Sequence, residues 1–422
     1  MAGIRGRTDR RNRYRTWEFV VNRGVCPYPF EPSALTVDAR YAEMREQQGM
    51  SRVRLPFGGE AWLATRYEDV RAVLVDRRLM RSLTVGKDAP RGTEAIESES
   101  SIITMDPPTH SRLRRLVAAA FTPKRVETLR PRIQEIADGL IDGMIEQGPP
   151  ADLVSSFSIP LPITALCELL GVPQEDRDKV HTWTDTMLML SGEGLDHTSI
   201  MTAQSELWGY IAGLVAERRE TPTDDLIGAL VRARDDEGRL TEGELIDLSG
   251  GILAVGHETT ANHISNLLYT LLTNPDQLAR LRADPGLMPS AVEELLRFVP
   301  LGASAGFAHI ASEDVEIGGQ LIRKGEAVFA DLEGANRDAT VFECPEDLDL
   351  ARTRNHHVGF GHGPHHCLGA QMARLELQVA LGTLLARFPD LELAAEVPWL
   401  TARRQRGPER LELTWTTALP AQ

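Results

Sequence analysis

The sequence predicts a mainly α-helical protein with a minor β part. Long stretches place apolar residues at helical spacing, and two pairs of glycines flanked by alternating sequence indicate β-hairpins. The chain has 422 residues, of which 42% are hydrophobic, so it can bury a large core. No Pro/Gly/Ser-rich linker divides it, and we expect residues 21–422 to form a single domain.

Helical signals dominate the middle of the chain. A helix is predicted over residues 122–148, stopped by glycine and proline, and Thr223 is the expected N-cap of another. Thr241 and Glu244 form a capping-box pattern. This box opens the longest helical run, over residues 242–274, which would span roughly 50 Å at 1.5 Å per residue. A buried helix of that length would organise the fold around itself.

Weaker signals complete the predicted architecture. Two further helices are expected over residues 289–300 and 371–389. Hairpins are expected around Gly58-Gly59 and Gly318-Gly319, and a short strand near the C-terminus in the stretch RLELTW.

Composition excludes several classes of protein. The net charge of -15 argues against a nucleic-acid binder. No run of 18 apolar residues predicts a transmembrane helix, so no membrane partner is expected. Residues 1–20 are read as a basic N-terminal tail, and no apolar segment follows them as in a secretory signal. The four cysteines are far apart, which is typical of a reducing, cytoplasmic setting.

The stretch NHHVGFGHGPHHCLGA gathers five histidines beside one cysteine and suggests a metal. Structural zinc usually needs closely spaced pairs of ligands. His365 and His366 are adjacent and would point apart, and the glycines between His362 and His366 disfavour a helix that would align those two. The spacing therefore disfavours zinc without excluding it.

The glycines of this stretch suggest another site. Phe360, Gly361, Gly363 and Gly369 surround Cys367 in a loop that can aim backbone N–H groups at the sulfur and lower its pKa. The helix expected after the cysteine also favours an anion at its N-terminus. A single thiolate suits an iron whose equatorial positions are filled by a porphyrin. The alternative is an inert buried cysteine.

These residues resemble the heme-binding loop of the cytochrome P-450 family. Three weaker motifs occur in the same order along the chain as in the family. The stretch VGHETT resembles the oxygen-activation motif of the family's long central helix. Glu294 and Arg297 resemble its E-x-x-R motif, and Arg352 would complete a structural cluster with them. The resemblance runs from about Tyr28 to the end of the chain. It implies the cytochrome P-450 fold, with the central helix over the heme and the cysteine loop beneath it.

The resemblance also implies roles for individual residues. Cys367 would be the axial ligand of heme b, and Glu258 with Thr259 would deliver protons during O₂ activation. His309 stands where the family usually has arginine, and Val255 where it usually has alanine or glycine. Positions implied to bind the cofactor are His110, Arg114, His309, His365, Phe360, Gly361, Gly369, Val255 and Gly256.

The expected function is that of a soluble heme-thiolate monooxygenase. It would insert one oxygen atom of O₂ into a small organic substrate, free or attached to a carrier protein, in secondary metabolism. Electrons would come from NAD(P)H through a ferredoxin reductase and a ferredoxin that docks on Arg112, Arg115, Arg354 and Arg374, and we expect a monomer. The alternatives are oxidative coupling or peroxide-driven oxidation at the same heme, and a non-catalytic carrier-protein recruiter.

Overall fold

The protein is described here from a computed structural model. It describes residues 25–30, 34–47, 50–94, 101–188, 197–236, 238–302, 306–400 and 404–421. The predicted basic tail over residues 1–20 lies outside these ranges.

Helices make up most of the described chain, as predicted. In chain order they are α1 (Arg40–Glu46), α2 (Tyr67–Val75), α3 (Thr109–Ala118), α4 (Pro123–Glu127), α5 (Arg130–Gln147), α6 (Pro160–Leu170), α7 (Arg177–Leu188), α8 (His197–Glu220), α9 (Leu226–Asp235), α10 (Glu242–Gly256), α11 (Glu258–Leu272), α12 (Pro275–Ala283), α13 (Met288–Phe298), α14 (Leu332–Ala335) and α15 (Ala370–Arg387). None of the helices in the described ranges is long and apolar enough to cross a bilayer.

Two predicted helices begin or break at positions other than those expected. The run over residues 122–148 is two helices, α4 and α5, because Pro131 in the first turn of α5 has no N–H to continue the preceding helix. Helix α9 is capped by Asp225, whose carboxylate accepts from the backbone N–H of Gly228 at 2.7 Å. Thr223, the predicted cap, donates its hydroxyl to that same carboxylate at 2.6 Å.

The predicted central helix is also two helices, separated at one residue. The capping box of Thr241 and Glu244 opens α10 as predicted. Helix α10 ends at Gly256 and α11 begins at Glu258, with His257 between them at φ −109° and ψ −38°. The break thus lies inside the stretch VGHETT.

Strands form one larger sheet and two small ones. In chain order they are β1 (Cys26–Pro27), β2 (Ser51–Arg54), β3 (Glu60–Ala64), β4 (Leu79–Met80), β5 (Ala151–Asp152), β6 (His309–Ala311), β7 (Val315–Ile317), β8 (Gln320–Ile322), β9 (Ala327–Ala330), β10 (Glu392–Leu393) and β11 (Glu412–Thr414). The larger sheet has the order β1-β2-β3-β9-β6-β4, the second has β10-β11-β5, and β7 pairs with β8. Pairs β1–β2 and β3–β9 are parallel, and the others are antiparallel.

Both predicted hairpins and the C-terminal strand are confirmed. Gly58 and Gly59 turn the chain between β2 and β3 at φ +70° and +97°. A β-carbon on Gly58 would lie 2.0 Å from the carbonyl oxygen of Ala89, so only glycine fits there. The second hairpin joins β7 to β8.

The main hydrophobic core lies among the helices that surround α11. Ile264, Leu267 and Leu271 of α11 are fully buried, as are Leu377 and Leu384 of α15. Each such side chain contributes roughly 1.5–3 kcal/mol through burial. This packing holds the helix break and the cysteine loop, which immediately precedes α15, in fixed relative positions.

Candidate active site

The cysteine loop is shaped by close backbone contacts. The Cys367 N–H donates to the Phe360 carbonyl at 2.8 Å, and the His366 N–H donates to the Gly363 carbonyl at 3.0 Å. Gly363 has φ +71°, and a β-carbon on it would lie 2.7 Å from the backbone oxygen of Leu74. The loop therefore needs glycine at this position, because its backbone lies in close contact with the backbone of α2.

The Cys367 thiol is exposed, yet protein surrounds it closely enough for burial to raise its pKa. The N–H of Gly369 and the charges of Arg114 and Arg374 act in the opposite direction. The sequence predicted a lowered pKa, and for the free thiol this is wrong, because desolvation outweighs the donors. Coordination to a metal ion would deprotonate the thiol regardless.

One carboxylate anchors the loop from the side of α13. Glu293 accepts from Arg374 at 2.6 Å and lies 3.1 Å from the His357 ring. Burial raises the pKa of Glu293, but the hydrogen bonds from His357 and Arg374 outweigh it and lower that pKa to about 2. The Arg374 guanidinium also lies 4.6 Å from the centroid of the Phe360 ring, and this cation–π contact holds the ring against Arg374.

The predicted cluster of Glu294, Arg297 and Arg352 is assembled. Glu294 and Arg297 form a doubly hydrogen-bonded pair at 2.8 Å, and both side chains are 0% exposed. Arg352 donates to the same carboxylate at 3.0 Å. Asn355, at the start of the histidine-rich stretch, donates to it at 3.1 Å. The cluster thereby connects α13 to the segment that leads into the cysteine loop.

Five basic side chains converge beside this loop. The rings of His110 and His365 have centroids 4.2 Å apart. Arg114 donates to a carbonyl of the cysteine loop. The Nε of Arg81 donates to Nε2 of His309 at 3.2 Å. The structure therefore brings together the four predicted residues and adds Arg81.

Two arginines make this cluster electropositive, and some of its histidine ring atoms lack hydrogen-bond partners among the described residues. Burial, followed by the charges of Arg81, His110, His309 and Arg114, lowers the pKa of His365 to about 2. Within the part of the chain that the structure describes, Nδ1 of His110 and Nε2 of His365 are buried without a hydrogen-bond partner. Buried polar atoms normally have partners. Two carboxylates would satisfy this set, so the residues fit the two propionates of a heme.

His309 and Arg81 form a unit that the sequence did not predict. Burial and the charge of Arg81 lower the pKa of His309 to about 3, so its ring is neutral and accepts from Arg81. Asp106 accepts from the backbone N–H groups of Arg81 and Ser82 at 3.2 and 2.8 Å. Arg81 is one of several arginines in an ordinary stretch, and nothing in the sequence distinguishes it.

The helix break is where the central helices become accessible. Val255 is 42% exposed, although Ala254 and His257 on either side of the Val255-Gly256 pair are buried. A β-carbon on Gly256 would lie 2.8 Å from the Leu166 side chain of α6. Gly256 therefore permits close packing against α6, while Val255 presents its methyl groups to the accessible side.

The predicted acid–alcohol pair occupies the first turn of α11. Glu258 and Thr259 are both half-buried. Thr260, the next residue, is buried and hydrogen-bonded to Glu376 of α15. Burial raises the pKa of Glu376 to about 8, so this carboxyl keeps a proton at neutral pH. A single glutamate within a helical pattern gives no sign in the sequence that it is buried. The presence of Glu376 beside Thr260 was therefore not predicted.

The remaining histidines of the stretch have separate environments. His356 is exposed, His357 bonds to Glu293, and His362 lies 3.4 Å from the Arg71 guanidinium. Among the described residues, no three His, Cys, Asp or Glu side chains form a group that could hold a metal ion. The zinc alternative thus has no assembled ligand set in these ranges.

Comparisons with known proteins agree with this geometry. The family model for cytochrome P-450 matches residues 186–285 and 286–403. Nocardicin C N-oxygenase of Nocardia uniformis subsp. tsuyamanensis is 48% identical over 393 residues, covering 92% of this chain and 98% of that protein. Mycinamicin IV hydroxylase/epoxidase of Micromonospora griseorubida is 47% identical over 392 residues, with coverage of 92% and 98%. The crystal structure of HinD with NMFT and NO has a TM-score of 0.88 at 48% identity, covering 92% and 99%.

The fold, the cysteine loop and these relatives define a class of enzyme. This chain belongs to the cytochrome P-450 family. It is an oxidoreductase of the monooxygenase class, and its named relatives are tailoring enzymes of secondary metabolism. Membership of the family implies a heme with a thiolate ligand and the use of O₂.

Proposed function

We propose that this enzyme hydroxylates or epoxidises a small secondary metabolite. Hydroxylation would consume one O₂, two electrons and two protons, so that R–H gives R–OH and one H₂O. The observation that carries this proposal is the position of Cys367 beside a cluster of basic side chains in which, among the described residues, Nδ1 of His110 and Nε2 of His365 are buried without a hydrogen-bond partner. The names of the relatives, which include an N-oxygenase and a hydroxylase/epoxidase, support oxygen insertion.

The residues that would hold the heme follow from the site. Cys367 would be the axial ligand, and Arg81, His110, Arg114 and His365 would bind the propionates, with His309 orienting Arg81. The heme, when bound, supplies the chemistry of O₂ activation. Phe360, Gly361 and Gly369 would shape the loop that carries Cys367, while Val255 and Gly256 would border the heme site at the helix break.

Glu258 and Thr259 would handle the two protons. Their half-buried position in the first turn of α11, next to the break, supports this role. A positioned acid contributes roughly 10²- to 10⁴-fold in rate. In this role the Glu258 carboxyl accepts protons from solvent and passes them through the Thr259 hydroxyl.

Electrons would come from NAD(P)H through a separate reductase and ferredoxin. Of the four arginines expected to dock the ferredoxin, Arg112 pairs with Glu244 and Arg374 pairs with Glu293. Arg115 and Arg354 are exposed and are the better contacts for an acidic partner. Reversing both charges should slow reduction by a plant-type ferredoxin, whereas the same change at exposed Arg410 should not.

The test of the function begins with a screen for compounds that shift the spin state of the ferric enzyme. Each hit is incubated with a ferredoxin system under ¹⁸O₂, and the products are analysed by mass spectrometry. One ¹⁸O atom per product molecule is expected. Products that contain no labelled oxygen, or that join two substrate molecules, would contradict the proposal. Such products would instead indicate oxidative coupling.

A further inference from the structure

His257 is a buried polar residue that the proposed chemistry does not use. It lies between α10 and α11 and is only 1% exposed. In a continuous helix its backbone N–H would pair with the carbonyl of Leu253, four residues earlier. Here the ring atom Nδ1 lies 3.3 Å from that carbonyl oxygen. The side chain thus satisfies an oxygen at the point where the helix breaks.

The second ring nitrogen reaches a different helix. His257 Nε2 lies 3.2 Å from the hydroxyl oxygen of Thr184 on α7. Thr184 is fully buried, and its hydroxyl also lies 2.9 Å from the Val180 carbonyl of its own helix. The imidazole therefore bridges the break and α7 within the protein interior.

Hydrogen-bond chemistry determines the direction of both contacts. A carbonyl can only accept, so Nδ1 carries the proton and Nε2 of the neutral ring is an acceptor. The single hydroxyl proton of Thr184 is then shared between Nε2 and the carbonyls of Val180 and His181. Burial, followed by the charge of His181, lowers the pKa of His257 to about 4, so the ring is neutral at pH 7. A neutral imidazole with one donor and one acceptor satisfies both partners without a buried charge.

We propose that His257 is a positioning residue that couples the helix break to α7 through Thr184. The break sets the positions of Glu258 and Thr259, which follow it directly. A displacement of α7 would therefore reach the proton-delivery pair through one imidazole. This inference rests on the proposed function.

Two substitutions separate this coupling from simple packing. Thr184→Val keeps the shape of the side chain and removes the hydroxyl. His257→Asn keeps an N–H donor near the Leu253 carbonyl and removes the atom that reaches Thr184. Thr182→Val is the matched control, because Thr182 is exposed on the same helix and bonds to its own helix carbonyl at 2.9 Å.

Carbon monoxide is the probe, because its binding to the reduced holoenzyme reports on the space beside the break without requiring the substrate. The readouts are the infrared C–O stretching band, the rate of rebinding after flash photolysis, and the hydrogen peroxide released per NADH oxidised with a plant-type ferredoxin and its reductase.

Both Thr184→Val and His257→Asn should broaden or shift the band. Each should also change rebinding and peroxide release by about two- to tenfold, as expected for one lost hydrogen bond. The double variant should change them no further, and Thr182→Val should match the wild type.

The coupling would be overturned if Thr184→Val gave the same infrared band, the same rebinding rate and the same peroxide release as Thr182→Val. This holds even if Thr184→Val were less stable than the wild type. A His257→Asn variant that matched the wild type would also overturn it. A wild-type enzyme without a thiolate-type CO spectrum would instead overturn the proposed function, and the coupling with it.

Discussion

Gly363 shows how strongly a single residue constrains the cysteine loop. With φ +71° and a β-carbon site 2.7 Å from the Leu74 oxygen, the loop cannot accept a side chain without moving. Gly363→Ala should lower the free energy of unfolding by about 1–3 kcal/mol and weaken heme retention, both measured by urea titration of the holoenzyme. Gly319→Ala is the control, since Gly319 has a similar φ of +76° and nothing lies within 4 Å of its β-carbon site. Equal stability of the two variants would contradict the close-contact argument.

Val255 is the residue beside the helix break at which the chain departs from the family pattern. Its side chain is 42% exposed at the helix break. Val255→Ala removes two methyl groups, so we expect a wider space, with altered substrate affinity in spin-shift titrations and an altered product ratio. Leu321→Ala, at an exposed apolar position on a hairpin, should change neither. An unchanged affinity and product ratio for Val255→Ala would refute the assignment.

At the scale of elements, a buried ion pair joins α13 to the segment before the cysteine loop. Glu294→Gln should destabilise the protein by about 3–5 kcal/mol, because the Arg297 charge stays buried without its counter-charge. Glu135→Gln breaks the exposed pair with Arg132, which has the same i,i+3 spacing, and should cost no more than about 0.5 kcal/mol. Urea unfolding curves measure both effects, and similar costs would show that burial is unimportant.

The elements also show what sequence can and cannot predict here. The cysteine loop, the Glu294–Arg297 pair, the capping box and the hairpins were predictable, because each depends on neighbouring residues. A distortion of the central helix near Glu258 and Thr259 was predictable, because a threonine hydroxyl can bond to the carbonyl four residues earlier and bend a helix. A break at His257 was not predictable, because His257 bonds to Thr184, 73 positions away. Arg81 and Glu376 were missed for the same reason: long-range packing, and not local sequence, brings them to the site.

For the whole molecule, buried neutral histidines make stability depend on pH. Burial, then the charge of His357, lowers the pKa of His263 to about 4. Between pH 6.5 and pH 4 the unfolded chain binds a proton there that the folded chain does not, so this histidine lowers stability as the pH falls. The contribution has a slope of up to about 1.4 kcal/mol per pH unit.

His263→Asn should therefore reduce the loss of unfolding free energy between pH 7 and pH 5, measured by urea titration at both values. His356→Asn, at an exposed position, should leave that loss unchanged. If both variants lose as much stability as the wild type, His263 does not stay neutral in the folded protein.

In the proposed function the fold as a whole presents the Cys367 thiolate to one heme iron, and the CO difference spectrum of the reduced enzyme tests this proposal most directly. The wild type should show the red-shifted Soret band of a thiolate-ligated heme. Cys367→His, which offers an imidazole at the same position, should bind heme without that band. A wild-type spectrum lacking the band, or a Cys367→His spectrum retaining it, would contradict the assignment of Cys367 as the axial ligand.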